Sequence, residues 1–346
     1  MTARPTTAPL TEADLEACLS RPGPEVGDAL ARLGGDILVL GAGGKMGPTL
    51  CVMARRALDE RGSRARVIAV ARFSEPGLEA RRAAAGVETR RADLAERAQV
   101  ARLPEAPNVL FLAGRKFGAA TSPSLTWAAN VLVPVHVIER WPDARLVAFS
   151  TGNVYPLVPV SSGGARETDP VGPVGEYAMS CLGRERLFQH AAETRGTRIL
   201  ILRLNYAVEL RYGVLVDIGR RILAGEPVDL RMGYVNVIWQ GDANARALQG
   251  LALAASPAAV LNVTGPEVVS VRWLAEELGR RLGRPPIFTG TEAPDALLSN
   301  AARSIALFGP PTISLETMLD WTAEWLRRGG RLLDKPTRFE EREGRF

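Results

Sequence analysis

Apolar residues fall in short unbroken runs separated by stretches of helical periodicity, and that alternation sets the reading of the whole chain. Ile37, Leu38, Val39 and Leu40 form the kind of run that a strand buried on both faces shows. Leu50, Val52, Met53, Ala54 and Leu58 follow at helical spacing. Further apolar runs predict strands at 66–70, 86–94, 108–114, 145–151 and 197–205, with a helix around 127–140 and another from about Gly175. So regular an alternation predicts an α/β fold, a Rossmann-type doubly wound parallel sheet with helices on both faces and a ligand at its carboxyl edge.

The rest of the pattern divides the chain. Residues 1–34 read as an N-terminal helical extension: a polar, proline-bearing start expected to be disordered over 1–10, a helix opened by Thr11 and Asp14 as a capping box, and a second helix over 25–33. A dinucleotide-binding domain spans 35–205, and 236–264 returns to it through a strand at 261–265. A smaller α/β substrate domain takes 206–235 and 265–330, with amphipathic helices over 271–283 and 313–328. The Pro/Gly/Ser-rich segment 152–175 is too polar for an element and reads as an active-site loop, and the charged tail 331–346 is expected to dock loosely.

The chemistry starts between the first strand and its helix, where Gly41, Gly44 and Gly47 stand at three-residue spacing around Lys45 and Met46. Strand, glycine turn and helix in that order make a dinucleotide site. Gly41 permits the tight turn, Gly44 lets a pyrophosphate approach the backbone, and Gly47 lets helix and strand pack closely. The helix N-terminus offers free N–H groups to the phosphates, where Lys45 should also engage. The second strand runs into Ala71 and Arg72, where an NAD-specific site would place a carboxylate on the ribose. Arg72 suits a 2′-phosphate instead, so NADP is favoured and NAD stays open. Asp93 and Leu94 follow the third strand, with Asp93 suited to an adenine amino group. The small Ala113-Gly114 pair lets a cofactor lie against the backbone.

Composition narrows this little. The 346 residues are 46% hydrophobic and 23% charged, as in an ordinary globular protein. The net charge of +5 comes from scattered arginines, which fits a small anionic ligand and not a nucleic-acid footprint. Cys18, Cys51 and Cys181 form neither a disulfide framework nor a metal site of familiar spacing. With no apolar leader and no run of membrane-spanning length, a cytoplasmic location is expected, with a small-molecule substrate, no nucleic-acid or membrane partner, and a homodimer left open.

Taken together, 36–328 resembles an extended short-chain dehydrogenase/reductase of the NAD-dependent epimerase/dehydratase family. The resemblance rests on the glycine loop, Asp93-Leu94, Asn130, Ser150-Thr151-Gly152-Asn153-Val154-Tyr155, Tyr177 heading a helix, Leu202-Arg203-Leu204-Asn205 and the Gly241-Asp242 turn. It implies that Thr151 bonds the substrate oxygen and that Tyr177 is the catalytic acid/base. Ala113, Gly114, Asn130, Ser150 and Asn205 then become cofactor-lining positions. Lys116 falls where some sugar epimerases of the family keep a lysine near cofactor and substrate phosphates.

Three departures bear on function. The family's Tyr-x-x-x-Lys is here Tyr177-Ala178-Met179-Ser180-Cys181. The lysine that would lower the tyrosine pKa is missing, and the Cys181 thiol becomes a candidate nucleophile only beside positive charge. The two arginines that hold a nucleoside diphosphate in nucleotide-sugar epimerases correspond to Val235 and to the acidic stretch 292–295. The expected function is therefore an NAD(P)-dependent oxidoreductase or epimerase acting at a secondary alcohol or ketone of a sugar-like molecule that is not a nucleotide sugar. Lys116 would partly replace the missing lysine. The alternative is a cofactor-binding protein of this fold without turnover.

Overall fold

The computed structural model describes residues 7–345. Most of the stretch expected to be disordered, 1–6, lies outside the described residues. Seven parallel strands make the central sheet: β1 (Ile37–Leu40), β2 (Val67–Ala71), β3 (Glu88–Arg91), β4 (Asn108–Phe111), β5 (Arg145–Thr151), β6 (Arg198–Leu204) and β7 (Ala259–Val263). Their order across the sheet is β7-β6-β5-β4-β1-β2-β3, so the chain reverses its direction of travel between β1 and β4. In a doubly wound sheet that reversal opens a crevice at the carboxyl ends, and the glycine loop sits in it.

Both faces of the sheet are covered, so β1 and β2 are buried throughout, as unbroken apolar runs require. One face packs Val39 and Ala69 against Leu50 and Met53 of the glycine-loop helix (Gly47–Asp59). The other packs Leu38 and Phe111 against Val137, Trp141 and Phe188, with the Phe111 and Phe188 rings 5.6 Å apart. A further core belongs to a second lobe, where helices Val214–Ala224, Val271–Leu282 and Leu315–Arg327 pack Ile218, Leu274, Leu278, Leu319 and Trp321 together. The N-terminal helix Glu12–Leu19 opens with the Thr11–Asp14 capping box and buries Leu15 and Leu19 in that same core.

The structure corrects several expectations. The third and fourth strands are shorter than 86–94 and 108–114, which leaves Asp93, Leu94, Ala113 and Gly114 in loops at the sheet edge. The helix expected around 127–140 starts at Pro123 and is interrupted by a π-helical turn, Ala128–Leu132. Segment 152–175 is not pure loop. Thr151 caps a 3-10 turn, Gly152–Val154, and Val158–Pro159 pairs antiparallel with Asp295–Ala296. The Gly241-Asp242 pair stands at the start of the helix Gln240–Gly250, and the Asp242 carboxylate accepts from Thr312. The largest correction concerns the tail. Phe339 is fully buried in the second lobe's core and Thr337 is buried against the cavity at the glycine loop, because an aromatic ring and a threonine interrupt the charged sequence.

Candidate active site

The three loop glycines serve different ends. Gly41 has φ +84°, and a Cβ there would lie 2.6 Å from the Ala113 nitrogen. At Gly47 a Cβ would meet the Ala42 backbone at 2.6 Å. Both positions therefore admit glycine alone. Gly44 is open, its nearest neighbour being the Gly41 oxygen at 3.5 Å, so the space over it is free for a ligand. An open glycine facing the start of the helix Gly47–Asp59 fits a dinucleotide pyrophosphate.

Lys45 does not turn toward that helix start. Its ammonium donates to the Ala207 carbonyl at 2.7 Å and lies 3.8 Å from the centre of the Tyr212 ring, so it lines the cavity floor between sheet and second lobe. Burial holds it down to about 7, with Glu209 and Asp217 opposing the shift and Lys116 and Arg211 adding to it. At the adenine end, Arg72 is well exposed and stands 3.7 Å from Asp93, whose carboxylate also accepts the Ala95 N–H. Leu94 is buried and its carbonyl meets the His136 ring, so its side chain belongs to the core.

Strand β5 ends in Ser150 and Thr151, and the helix Gly175–Arg195 brings Tyr177 across to them. Thr151, Tyr177, Lys116, Asn153, Asn205, Tyr206 and the glycine loop line one cavity of about 260 Å³. The Tyr177 hydroxyl shares that cavity with Thr151 and stands beside Cys181, one turn along its own helix. Burial raises the phenol well above its ordinary value, Cys181 adds to the rise, and Arg184 and Thr151 oppose it. Burial also raises the Cys181 thiol, against opposing effects of Arg184 and Tyr177, so a nucleophilic thiolate is not supported. Lys116 lies 5.9 Å from the Tyr177 ring centre and donates to the Thr337 carbonyl at 3.1 Å; burial brings it down to about 8.

Two positions expected to line the cofactor site also tie the fold together. Asn130 is fully buried in the π-helical turn. Its amide donates to the Arg115 carbonyl (3.0 Å) and Ser180 (2.9 Å) and accepts from the Arg115 N–H (2.9 Å) and Arg184 (2.6 Å). The Ser150 hydroxyl lines the cavity wall but donates to Glu185 at 2.5 Å. Glu185 pairs with Arg203 at 2.7 Å, Arg203 donates to the Tyr155 hydroxyl at 2.8 Å, and Tyr155 donates to Asn262 at 2.9 Å. This buried chain ties β5, β6 and β7 to the Tyr177 helix.

Arg184 belongs to none of the motifs read from the sequence. It is buried one turn beyond Cys181 on the same helix face, donates to the Phe149 carbonyl at 2.8 Å, and would lie 2.6 Å from a Cβ on Gly114. Its signal is the helical spacing Tyr177–Cys181–Arg184, which puts a cation on the helix face that carries Tyr177. In the second lobe Val235 is fully buried, Glu292 pairs with Arg272 at 2.7 Å, and Asp295 pairs with Arg342 at 2.5 Å. Among the described residues no cluster of His, Cys, Asp and Glu could hold a metal, and no helix is long and apolar enough to cross a membrane.

Comparison with known proteins places this geometry. No curated protein matches the chain. Solved structures do: the UDP-glucose 4-epimerase of Thermotoga maritima with UDP-glucose is 20% identical, with a TM-score of 0.68 over 85% of this chain and 99% of that one. The Thermus thermophilus UDP-glucose 4-epimerase in complex with NAD is 21% identical, with a TM-score of 0.69 over 84% and 99%. MoeE5 in complex with UDP-glucose and NAD is 24% identical, with a TM-score of 0.69 over 85% and 99%. At these identities the likeness establishes the fold. The model of the NAD dependent epimerase/dehydratase family matches residues 37–228, more than half of the chain, and the protein therefore belongs to that family of NAD-dependent enzymes, with the extended short-chain dehydrogenase/reductase fold.

Proposed function

We propose that the protein moves a hydride at a secondary alcohol or ketone of a sugar-like molecule, as a reductase, dehydrogenase or epimerase. The observation that carries this is the pair of hydroxyls, Thr151 and Tyr177, that share one cavity with the glycine loop. A bound nicotinamide dinucleotide supplies the hydride donor or acceptor. Thr151 holds the substrate oxygen, and Tyr177 gives up its proton to that oxygen as negative charge develops there. The raised phenol suits Tyr177 to donation at neutral pH better than to abstraction. Phe149, Leu204 and Val214 dry the cavity and strengthen both bonds. The substrate is held by the lobe formed from 206–235 and 265–330.

Two finer points are this chain's own. Structures similar to it carry NAD, yet Ala71 offers no carboxylate and Arg72 is exposed beside the ribose position, which supports a preference for NADP. The UDP-sugars bound by those structures count against a substrate outside that class. Buried Val235 and the paired Glu292 and Asp295 count for one. The test is the absorption spectrum of the purified protein near the nicotinamide band with mass identification of any bound ligand, followed by turnover with sugars, cyclitols and keto acids. Absence of dinucleotide binding, or binding without hydride transfer to any of the panel, overturns the reading.

A further inference from the structure

Residues 331–345 run back from the last helix across both halves of the molecule. On the second lobe, the Leu333 N–H donates to the Arg211 carbonyl at 3.0 Å. The N–H and hydroxyl of Thr337 donate to the Asp217 carboxylate at 2.7 and 2.6 Å. Glu340 accepts from Arg221 at 2.5 Å, and Arg342 reaches both Asp295 at 2.5 Å and the Arg231 carbonyl at 3.1 Å. On the sheet side, the Thr337 carbonyl accepts from Lys116, and the Gly344 backbone lies on Val174 and Gly175, where the Tyr177 helix begins. A Cβ on Gly344 would lie 2.2 Å from the Val174 oxygen, and Gly344 and Gly175 have φ of +74° and +82°. Two glycines are what let the segment close onto that helix.

The segment also lines two voids. Thr337 is a wall of the cavity that holds Thr151 and Tyr177. A separate void of about 30 Å³ is lined by Asn153, Val174, Leu297, Arg342 and Gly344. Asn153 lines both, with Thr337 on the first and Arg342 and Gly344 on the second. The first, about 260 Å³, is below the ~300 Å³ at which pockets for drug-sized ligands begin, and it must also admit the nicotinamide end of the cofactor.

We propose that residues 337–344 form the wall that sets substrate size. They leave room at Thr151 and Tyr177 for a monosaccharide-sized polyol or its acid, and they close the rest of the cleft to an extended ligand such as a nucleoside diphosphate. The proposal rests on the assignment of Thr151 and Tyr177 as the reacting end. Thr337 and Arg342 then act as specificity residues: one faces the substrate, and the other fills the outer half of the cleft and cancels the charge of Asp295 there.

The probe is UDP-glucose, titrated by calorimetry into the intact protein, into Gly344→Val, and into the chain ended after Gly330. Hydrogen exchange over 333–344 reports whether the wall is seated. Gly344→Val and, if needed, Arg342→Asp leave Phe339 in the core, so they carry the test if the shortened chain does not fold. Expected are no measurable heat with the intact protein, and saturable binding at least tenfold above the detection limit once exchange shows the wall released. Binding by the intact protein, whether the wall stays protected or opens as a lid, overturns the proposal. So does failure of a demonstrably released variant to bind. Dinucleotide binding measured on the same samples separates the two readings, since its loss counts against the Thr151–Tyr177 assignment and leaves the wall standing.

Discussion

The Cys181 thiol stands beside the Tyr177 hydroxyl, so a neutral group occupies the helix position from which a lysine would charge the phenol. With its pKa raised by burial, Tyr177 is protonated throughout the neutral range, and the base form needed for oxidation appears only at alkaline pH. The oxidation rate should climb with pH without a plateau below about pH 10, the ordinary tyrosine value. Cys181→Lys should bring that limb down, and Cys181→Ala should leave the rate within a few fold. Tyr177→Phe should cost about 10²–10⁴-fold. A pH–rate profile for each variant is the measurement, and an acid-shifted limb in the unmodified protein would defeat the assignment.

Lys45 gives a pH dependence of opposite origin. Held down to about 7 by burial, its ammonium is lost as pH rises through that value. Between the folded value of about 7 and the unfolded value of 10.5 the unfolded chain binds the extra proton, so this residue's contribution to stability improves as pH rises through that window. Thermal melts across the range check the sign, and Lys45→Met should flatten that part of the profile.

Arg72 stands exposed at the end of β2 with Asp93 as a weak partner at 3.7 Å. Removing it as Arg72→Ala should cost NADP about 1.5–3 kcal/mol, the range for hydrogen bonds to charged groups, and leave NAD little changed. Equal or tighter binding of NAD by the unmodified protein would refute the preference.

Phe339 is completely buried although charged residues surround it in sequence. Phe339→Ala should destabilise the protein by about 3–5 kcal/mol, as an emptied aromatic site in a core does. Chemical denaturation measures this. A loss under about 1 kcal/mol would show that the closing segment contributes little to the second lobe.

The elements that periodicity sets are legible in the sequence. β1, the glycine-loop helix and β5 follow from apolar runs and glycine spacing, and β5 matches residue for residue because both its faces are covered. What stays hidden depends on contacts between distant positions. Arg184 looks like a solvated helix arginine until Asn130 and the Phe149 carbonyl are brought to it. Lys45 looks like a phosphate ligand until Ala207, 162 residues away, supplies its acceptor. The tail looks loosely docked because composition averages over Thr337 and Phe339, and its burial rests on just those two side chains.

Crossing from the second lobe to Lys116 and Gly175, the closing segment fixes the order in which the site comes into being. On the ribosome, β1, the glycine loop and Tyr177 emerge well before β7, and Thr337 follows β7 by more than seventy residues. Domains fold as units as they are synthesised. A nascent chain can thus hold its dinucleotide crevice while its catalytic cavity still lies open to solvent. Enclosure of the cavity waits for Thr337, so a chain made only as far as β7 leaves Thr151 and Tyr177 open to water.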